Sequence, residues 1–330
     1  MQKNKKLFPL IAIAGMVTAL LYLLSIMLSS SQRRQPNPYE YQIGAPAKTD
    51  RSQILYEEIR EISIPANRLT ALAVDPQNRL YVAADSILFI YTCEGNLKAR
   101  LQLDQSIHCL AAVDGKIVYA GMRDHIRVYD YAGRYRATWP TLSEQSYLTA
   151  IAVAVNYVYA ADAGARLVQC FTKQGNLLRT IGRRDSLKKV PGFDVPSPFF
   201  DLVVDQEDRL WVVNPGRHEI EQYSEKGDLV AFWGEASMSM QGFCGCCNPT
   251  HIALLSDAAF VTSEKGIVRV KVYGIDGKLR AVVAGAEEFD EGTTGLDLAV
   301  DREDNIYVLD PEKKCVRVFA LKKIQQVEIR

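Results

Sequence analysis

The sequence predicts an all-β protein, a six-bladed β-propeller preceded by one transmembrane helix. A short β pattern recurs six times, and its marker is an aromatic residue four positions before a turn glycine. Consecutive turn glycines lie 38 to 52 residues apart, close to the period of propeller blades. The marker pairs are Tyr91 and Gly95, Tyr129 and Gly133, Phe171 and Gly175, Tyr223 and Gly227, and Tyr273 and Gly277, and Phe319 ends the sixth copy. A unit of this size cannot bury its apolar face alone, so the copies are expected to stack around a ring.

The first element along the chain is an uncharged span of 22 residues, 7–28. This length crosses the roughly 30 Å hydrocarbon layer of a bilayer. A cleaved signal peptide is the alternative, but its apolar region is usually shorter, and no small-x-small cleavage site stands out after Leu28. Lys3, Lys5 and Lys6 precede the span and Arg33 and Arg34 follow it, a weak bias that places the N-terminus in the cytoplasm. We therefore expect a single-pass protein of a bacterial inner membrane, with the propeller in the periplasm.

Three segments follow from this assignment. Residues 1–30 are the predicted cytoplasmic stub and transmembrane anchor, which interacts with the lipid bilayer. Residues 31–52 are the predicted extracytoplasmic linker, and Pro36, Pro38 and Pro46 make it semi-rigid. Residues 53–330 are the predicted propeller.

Each blade is predicted from an apolar strand, a polar turn and two further strands. In the first copy these are residues 69–74, 75–79, 80–83 and 87–91. A glycine turn then leads into a fourth strand, because Gly and Asn tolerate the positive φ that hairpin turns need.

Closure of the ring is predicted from a strand count. The sixth copy, residues 296–319, lacks a clear fourth strand, and residues 54–64 form an extra strand without a blade. Pairing the two leaves neither sheet edge exposed to aggregation.

Two stretches of this pattern resemble NHL repeats. Gly242 and Phe243, followed by Pro249, Ile252 and Ala253, are similar to the start of such a repeat, and residues 301–308 are similar to its strand-turn-strand part. The resemblance covers residues 54–330 and implies a six-bladed propeller of NHL type. It implies no particular activity, because propellers serve as enzymes and as binding modules.

One loop carries an unusual concentration of sulfur. Within eight residues the chain has Cys244, Cys246, Cys247 and His251. The loop joins the fourth strand of blade four to the innermost strand of blade five. In a propeller this connection shares a face with the loop between the second and third strands, which here contains Glu264 and Lys265. We therefore expect these side chains to converge at the mouth of the central channel.

Three kinds of chemistry fit this loop. As a metal site it would use Cys244, Cys246, Cys247 and His251, although the spacing is too compressed for a usual zinc site and lacks the C-x₂-C of iron–sulfur proteins. A disulfide between two of the cysteines suits an exported protein. A reactive redox thiol is the third reading. The cofactor is accordingly unassigned, with a metal ion or an iron–sulfur cluster as the candidates.

Alignment of the innermost strands places six residues at one level beside the channel. These are Ala71, Cys109, Ala150, Asp201, His251 and Asp297. An Asp–His–Asp arc could orient the imidazole, raise its pKa or hold a metal. The alternative is that both aspartates accept backbone N–H bonds from neighbouring segments.

The charge composition and the absence of known catalytic motifs limit the classes of function that the sequence suggests. The chain has 39 basic and 39 acidic residues, so its net charge gives no indication of nucleic acid as a partner. No nucleophile triad or phosphate loop is recognisable, so the leading hypothesis is a protein-interaction or redox and metal-binding module that docks a membrane or periplasmic protein. The resemblance to cysteine-rich bacterial NHL proteins implies attachment to a membrane electron-transfer assembly. The alternative is a metal-dependent lyase or hydrolase that uses His251, Asp201, Asp297 and Glu264, and whether the chain is an enzyme stays open.

Overall fold

The computed structural model describes residues 22, 49–187 and 189–323. The chain divides into two compact units, residues 1–46 and 47–330, and nearly all described residues belong to the second. The predicted membrane span lies outside the described residues except for Tyr22. Within the described part of the chain, no helix is long and apolar enough to cross a membrane.

In residues 49–323, apart from residue 188, twenty-four strands form six four-stranded antiparallel sheets, which confirms the predicted six-bladed propeller. The strands are β1 Tyr56–Ser63, β2 Leu69–Val74, β3 Arg79–Ala84, β4 Ile87–Thr92, β5 Leu97–Gln102, β6 Cys109–Val113, β7 Ile117–Gly121, β8 Ile126–Asp130, β9 Tyr135–Thr138, β10 Leu148–Val153, β11 Tyr157–Asp162, β12 Leu167–Thr172, β13 Leu177–Ile181, β14 Leu202–Val204, β15 Leu210–Asn214, β16 Glu219–Tyr223, β17 Leu229–Trp233, β18 His251–Leu254, β19 Phe260–Glu264, β20 Arg269–Tyr273, β21 Leu279–Ala284, β22 Leu298–Val300, β23 Ile306–Asp310 and β24 Cys315–Leu321. Short 3₁₀ turns at Arg51–Gln53 and Ala286–Glu288 are the helical elements of the described propeller.

The innermost strands surround the propeller axis. In order they are β2, β6, β10, β14, β18 and β22, each in contact with the next, and β22 contacts β2 again. We call the space that they enclose the central channel. Blades one to five each take four consecutive strands, from β2–β5 to β18–β21, and blade six has the order β22, β23, β24, β1.

The ring closes as the strand count predicts. β1 is the outermost strand of blade six and pairs antiparallel with β24, with Tyr56 opposite Leu321 and Ser63 opposite Cys315. A cross-strand ion pair adds to this pairing, since Arg317 Nη2 lies 2.6 Å from Glu58 Oε2. The first described strand of the chain is therefore fastened to the last.

Six apolar clusters fill the spaces between neighbouring blades. Each cluster combines residues from two adjacent blades. The second strand of five blades contributes a large aromatic residue that is at most 5% exposed, namely Tyr81, Tyr119, Tyr159, Trp211 and Tyr307. Because truncation of such a ring costs about 3–5 kcal/mol, the packing between blades is a main source of stability.

Blades one, four and six share one turn that explains part of the repeat. Asp75, Asp205 and Asp301 each follow the innermost strand, and one carboxylate oxygen accepts the backbone N–H groups two and four residues later. The other oxygen accepts a hydrogen bond from the aromatic residue six positions later, at 2.9 to 3.2 Å. The aspartate thus ties the turn to the packing between blades.

The aromatic residue and the glycine of each marker pair have separate tasks. The six marker aromatics are at most 4% exposed and belong to the clusters between blades. The five glycines have φ between 75° and 90°, the left-handed region in which side chains are unfavourable. The glycine turns predicted from the sequence are confirmed.

Candidate functional site

Three innermost strands bring a histidine and two aspartates together in the central channel. Asp201 directly precedes β14, His251 begins β18 and Asp297 directly precedes β22. His251 Nδ1 lies 3.4 Å from Asp201 Oδ2 and 3.5 Å from Asp297 Oδ1. We call these three residues the channel triad. The alignment of the blades predicts them at one level, and the structure brings them into contact.

Both aspartates of the triad also join neighbouring blades. Asp201 accepts the backbone N–H of Leu202 at 2.7 Å and that of Ile252, in blade five, at 2.8 Å. Asp297 accepts the N–H of Leu298 at 2.8 Å and that of Leu72, in blade one, at 2.8 Å. The two alternatives considered for these aspartates therefore coexist. Each carboxylate has about four lone-pair directions, so two remain for the histidine or an ion.

Electrostatics in the triad favour a bound proton or cation. Burial lowers the pKa of His251, but the hydrogen bond to Asp201 and the charges of Asp297 and Asp201 raise it more, so the net pKa lies above its ordinary value. Burial and the neighbouring Asp201 charge raise the pKa of Asp297 to about 6, against the opposing effect of His251. Cys109 faces the same space, and burial together with these two aspartates raises its thiol pKa well above the ordinary value.

The donor set of the triad suits a divalent cation. Two carboxylates beside a neutral imidazole carry a net charge of −2, which a divalent cation would cancel. If the imidazole is protonated instead, the net charge is −1. One ligand atom from each residue lies within 4.8 Å of the others. Among the residues that the structure describes, no other group of three His, Cys, Asp or Glu side chains places its ligand atoms together in this way.

The cysteine loop connects β17 to β18 and is held by Asn248. The Asn248 amide donates to the carbonyl of Cys244 at 2.6 Å and to that of Lys265 at 2.9 Å, and its oxygen accepts the Lys265 N–H at 2.9 Å. His218 contacts the same loop, with Nε2 2.8 Å from the carbonyl oxygen of Gly245. Sequence reasoning missed Asn248, because two of its three contacts are to the backbone of Lys265, which lies 17 residues away.

The three cysteines of the loop have different environments, and all seven cysteines of the chain are free thiols. Cys244 is buried, and its backbone N–H donates to Glu264 Oε2 at 3.1 Å. Burial, followed by the Glu264 charge, raises the pKa of the Cys244 thiol. Cys246 is exposed and Cys247 is buried, with their sulfurs 3.2 Å apart. Cys246 and Cys247 therefore form a pair that excludes Cys244.

Two polar groups stabilise a thiolate in this pair. Ser197 Oγ lies 3.4 Å from Cys247 Sγ and accepts a hydrogen bond from Lys265 Nζ at 2.9 Å. Burial raises the pKa of Cys247, but hydrogen bonds from Lys265, Ser197 and Cys246 and the Lys265 charge lower it more, so the net pKa is below its ordinary value. The pKa of Cys246 is raised, chiefly by its hydrogen bond to Cys247. The two thiols therefore titrate as a coupled pair in which Cys247 is the more acidic member.

The metal site hypothesised at Cys244, Cys246, Cys247 and His251 differs from the grouping in the structure. His251 lies between Asp201 and Asp297, which offer its ring two acceptors at the same level of the channel. The Phe199 ring packs edge-on against the His251 ring, with centroids 5.8 Å apart, and its centroid also lies 5.1 Å from Lys265 Nζ.

Glu264, expected at the channel mouth, lies in a buried charge cluster beside the loop. Its carboxylate lies 2.8 Å from Arg269 Nη2 and 2.7 Å from Lys271 Nζ. Lys271 also donates to the carbonyls of Met240 at 3.1 Å and Gly242 at 2.8 Å. Burial lowers the pKa of Lys271 to about 8, although Glu264 opposes this effect. The cluster therefore holds the segment that leads into the cysteine loop.

Arg269 and Lys271 escaped sequence reasoning, although a repeat signal was present. In blades three to six, the last residue of the second strand contacts the residue seven positions later. The pairs are Asp162 with Gln169 at 3.1 Å, Asn214 with Glu221 at 2.8 Å, Glu264 with Lys271 at 2.7 Å and Asp310 with Arg317 at 3.8 Å. Polar residues at this spacing, in strands that are otherwise apolar, indicate a recurring buried polar contact.

Comparisons with known proteins support the fold. No protein-family model matches the chain, and no curated protein matches it. A solved structure of a protein of unknown function from Bacteroides thetaiotaomicron is similar, with 12% identity and a TM-score of 0.61, over 81% of this chain and 76% of that chain. A streptogramin B lyase has 10% identity and a TM-score of 0.53, over 81% and 97% of the two chains. Virginiamycin B lyase from Staphylococcus aureus has 10% identity and a TM-score of 0.54, over 81% and 100%.

At these identities the likeness shows a six-bladed propeller and carries no activity with it. The resemblance to NHL repeats stays a prediction, since no family model matches.

Proposed function

We propose that the protein is a membrane-anchored periplasmic redox module of NHL type, attached to a membrane electron-transfer assembly. Its propeller docks a membrane or periplasmic protein and exchanges electrons with that partner through Cys246 and Cys247. The observation that carries this proposal is the dithiol geometry, with one exposed and one buried sulfur 3.2 Å apart. Lys265 and Ser197 support the thiolate at the buried sulfur.

The exchange is a two-electron thiol–disulfide reaction. The exposed Cys246 passes its proton to Cys247, attacks a disulfide of the partner and releases one partner sulfur as a thiolate. Cys247 then loses its proton to solvent and attacks Cys246 in the mixed disulfide, and the second partner sulfur leaves. The partner disulfide gains two electrons, and its two thiolates take up protons from solvent. The Cys246–Cys247 pair, which enters the reaction as one thiol and one thiolate, loses two electrons and one proton.

The disulfide formed in this way is expected to be easily reduced. Consecutive Cα atoms are about 3.8 Å apart, whereas disulfides usually join Cα atoms about 4.4–6.8 Å apart. A bridge between adjacent cysteines is therefore strained, and strained bridges are the labile ones. This property fits a carrier of electrons better than a structural staple.

Replacing Lys265 with Met is expected to raise the apparent pKa of the Cys246–Cys247 pair and to slow its alkylation at pH 7 by about tenfold, because one pKa unit corresponds to a tenfold change in thiolate population. The measurement is the pH profile of iodoacetamide labelling between pH 6 and 10, resolved by peptide mass spectrometry.

The matched control is Lys226→Met, which changes an exposed lysine in a glycine turn of blade four. Mild oxidation with diamide should remove two hydrogens from the peptide that contains both cysteines, and Cys246→Ser should prevent this. A Lys265→Met protein with the wild-type labelling profile, or a wild type that diamide leaves unchanged, would contradict the redox proposal.

A metal-dependent lyase or hydrolase is the second candidate, and the channel triad favours it. The triad would hold a divalent cation that acts as a Lewis acid on a bound substrate. Metal binding alone does not make an enzyme, so this candidate also requires turnover of a substrate.

The triad predicts a pH dependence of stability. The pKa values of Asp297 and His251 are both raised on folding, so the folded protein keeps protons that the unfolded chain releases. Stability should then fall as pH rises from about 4 to 6 for Asp297, by about 2–3 kcal/mol, and again above about 6.5 for His251. We expect the melting temperature in a chelator to decrease over this range, and a saturating divalent cation to restore it at pH 8.

His251→Asn should abolish the stabilisation by the cation, and His125→Asn, a change in the β7–β8 loop, should preserve it. Asp297→Asn provides a second test if the histidine variant folds poorly. A melting temperature that is independent of both pH and cation would rule out this role for the triad.

A further inference from the structure

A basic cavity lies next to the cysteine loop, between blades three and four. Its volume is about 620 Å³, and four arginines and one aspartate line it. Arg166 lies in the β11–β12 loop, Arg183 and Arg184 follow β13, and Arg217 lies in the β15–β16 loop. Asp194 is the lining carboxylate. This concentration of positive charge stands out in a chain with 39 basic and 39 acidic residues.

Three of these arginines have no carboxylate partner among the described residues. Arg217 pairs with Glu219 at 2.9 Å, whereas no ion pair with a described residue involves Arg166, Arg183 or Arg184. All three side chains are exposed. Their charges therefore remain available to an anion that enters the cavity.

The hairpin beside the cavity adds an apolar contact. Residues 185 and 190 pair as a short antiparallel bridge, and Leu187 at the tip is 97% exposed. The neighbouring Lys189 is also exposed. An apolar tip beside unpaired guanidinium groups matches a ligand that has both carboxylates and apolar side chains.

Two consecutive residues connect this cavity to the cysteine loop. Arg217 lines the cavity, and His218 Nε2 contacts the carbonyl oxygen of Gly245 at 2.8 Å. Gly245 directly precedes Cys246, the exposed member of the dithiol. The cavity is thus linked to Gly245, the residue before Cys246, through Arg217 and His218.

We propose that this cavity docks an acidic segment of the partner protein and so brings the partner to Cys246. This inference rests on the proposed redox function, because that function explains why a partner would dock here. Binding of the acidic segment itself does not require the redox reaction. The cavity volume is within the range of ligand sites, about 300–1,000 Å³. Arginines from three separate loops line it, an arrangement that suits several carboxylates along a peptide better than one small anion.

The test uses the purified full-length protein and a fluorescein-labelled nonapeptide made of three Glu-Glu-Leu repeats. Fluorescence anisotropy measures binding at low salt and at physiological salt. We expect the wild type to bind the peptide with an affinity that falls as salt rises, because exposed charges are screened. Arg183→Glu combined with Arg184→Glu should weaken binding by tenfold or more, and Arg166→Glu should weaken it independently.

The matched control replaces Arg134 and Lys98 with Glu. Both are exposed cations without an ion-pair partner among the described residues, and they lie outside the cavity. The control should bind the peptide as the wild type does, and a Lys-Lys-Leu repeat should not bind to the wild type. Equal losses in the control and in the Arg183, Arg184 variant would overturn the proposal. So would binding of phosphatidylglycerol vesicles that depends on these arginines without binding of the peptide.

Diamide oxidation of the same proteins separates this inference from the redox proposal. The Arg183, Arg184 variant should oxidise at Cys246 and Cys247 like the wild type. If peptide binding does not depend on the arginines but the dithiol oxidises normally, the docking site is refuted and the redox proposal is not. Arginine-dependent peptide binding with an inert dithiol supports the docking site and refutes the redox function.

Discussion

Deletion of residues 54–64 is expected to abolish cooperative unfolding of the propeller and to cause aggregation. This segment contains β1, whose backbone bonds cover the outer edge of β24. It also buries Tyr56 in the cluster between blades five and six and Ile62 in the cluster between blades six and one. Loss of each side chain costs about 2–5 kcal/mol, against a total stability of about 5–15 kcal/mol. The exposed edge would then pair with other chains.

Urea unfolding followed by circular dichroism and by tryptophan fluorescence, together with size-exclusion chromatography, measures this effect. Removal of residues 324–330 is the control, since it leaves all 24 strands in place. Ile62→Ala gives a milder test if the deletion yields no protein, with an expected loss of about 2–4 kcal/mol. A deletion variant that unfolds in one transition at the wild-type urea concentration would refute the role of β1.

The fold could be predicted because each of its signals is local and repeated. An aromatic residue four positions before a glycine fixes the end of a third strand and the hairpin after it, as Tyr91 and Gly95 show. The closure of the ring could be predicted by counting strands, because the sixth repeat lacks a fourth strand and residues 54–64 supply an extra one. Residues that align between repeats also occupy equivalent positions in their blades. For this reason the alignment could place Asp201, His251 and Asp297 at one level of the channel.

The candidate site was harder to predict because distance along the chain is a poor guide within a loop. His251 is four residues from Cys247, yet its imidazole contacts the aspartates of the two neighbouring blades and the ring of Phe199. Ser197, 50 residues before Cys247, supplies a contact that spacing does not reveal. The sequence indicated the residue types of the site and the face of the propeller, and tertiary structure decided which of them meet.

Buried charged residues were the second reason why the site in the structure differs from the site expected from the sequence. Lys271 lies in a strand between Val270 and Val272, and a lysine in an otherwise apolar strand is expected to face solvent. It is fully buried, since Glu264, Met240 and Gly242 satisfy its three donors. Only a partner from another strand makes such burial favourable, and a single-strand pattern cannot show that partner.

Replacing Glu264 with Gln is expected to destabilise the propeller by about 3–5 kcal/mol, the usual cost of leaving buried charge uncompensated. The carboxylate neutralises Arg269 and Lys271 and accepts the N–H of Cys244. Its loss leaves two cations together and removes the charge that faces the loop. Lys271→Met should cost less. It removes the Lys271–Glu264 ion pair and the hydrogen bonds to Met240 and Gly242, but the pair between Glu264 and Arg269 survives and no buried charge is left unpaired.

The double variant, Glu264→Gln with Lys271→Met, should be more stable than the sum of the single losses predicts, because it leaves one buried cation where Glu264→Gln leaves two. Urea unfolding of the four proteins gives the coupling energy as a double-mutant cycle. Lys278→Met, which alters an exposed pair with Asp276, is the control and should change stability by less than about 1 kcal/mol. Because the backbone N–H of the buried Cys244 donates to Glu264, we expect Glu264→Gln to loosen this part of the loop and to accelerate alkylation of Cys244. Additive losses with unchanged Cys244 labelling would mean that this cluster neither couples its charges nor holds the cysteine loop.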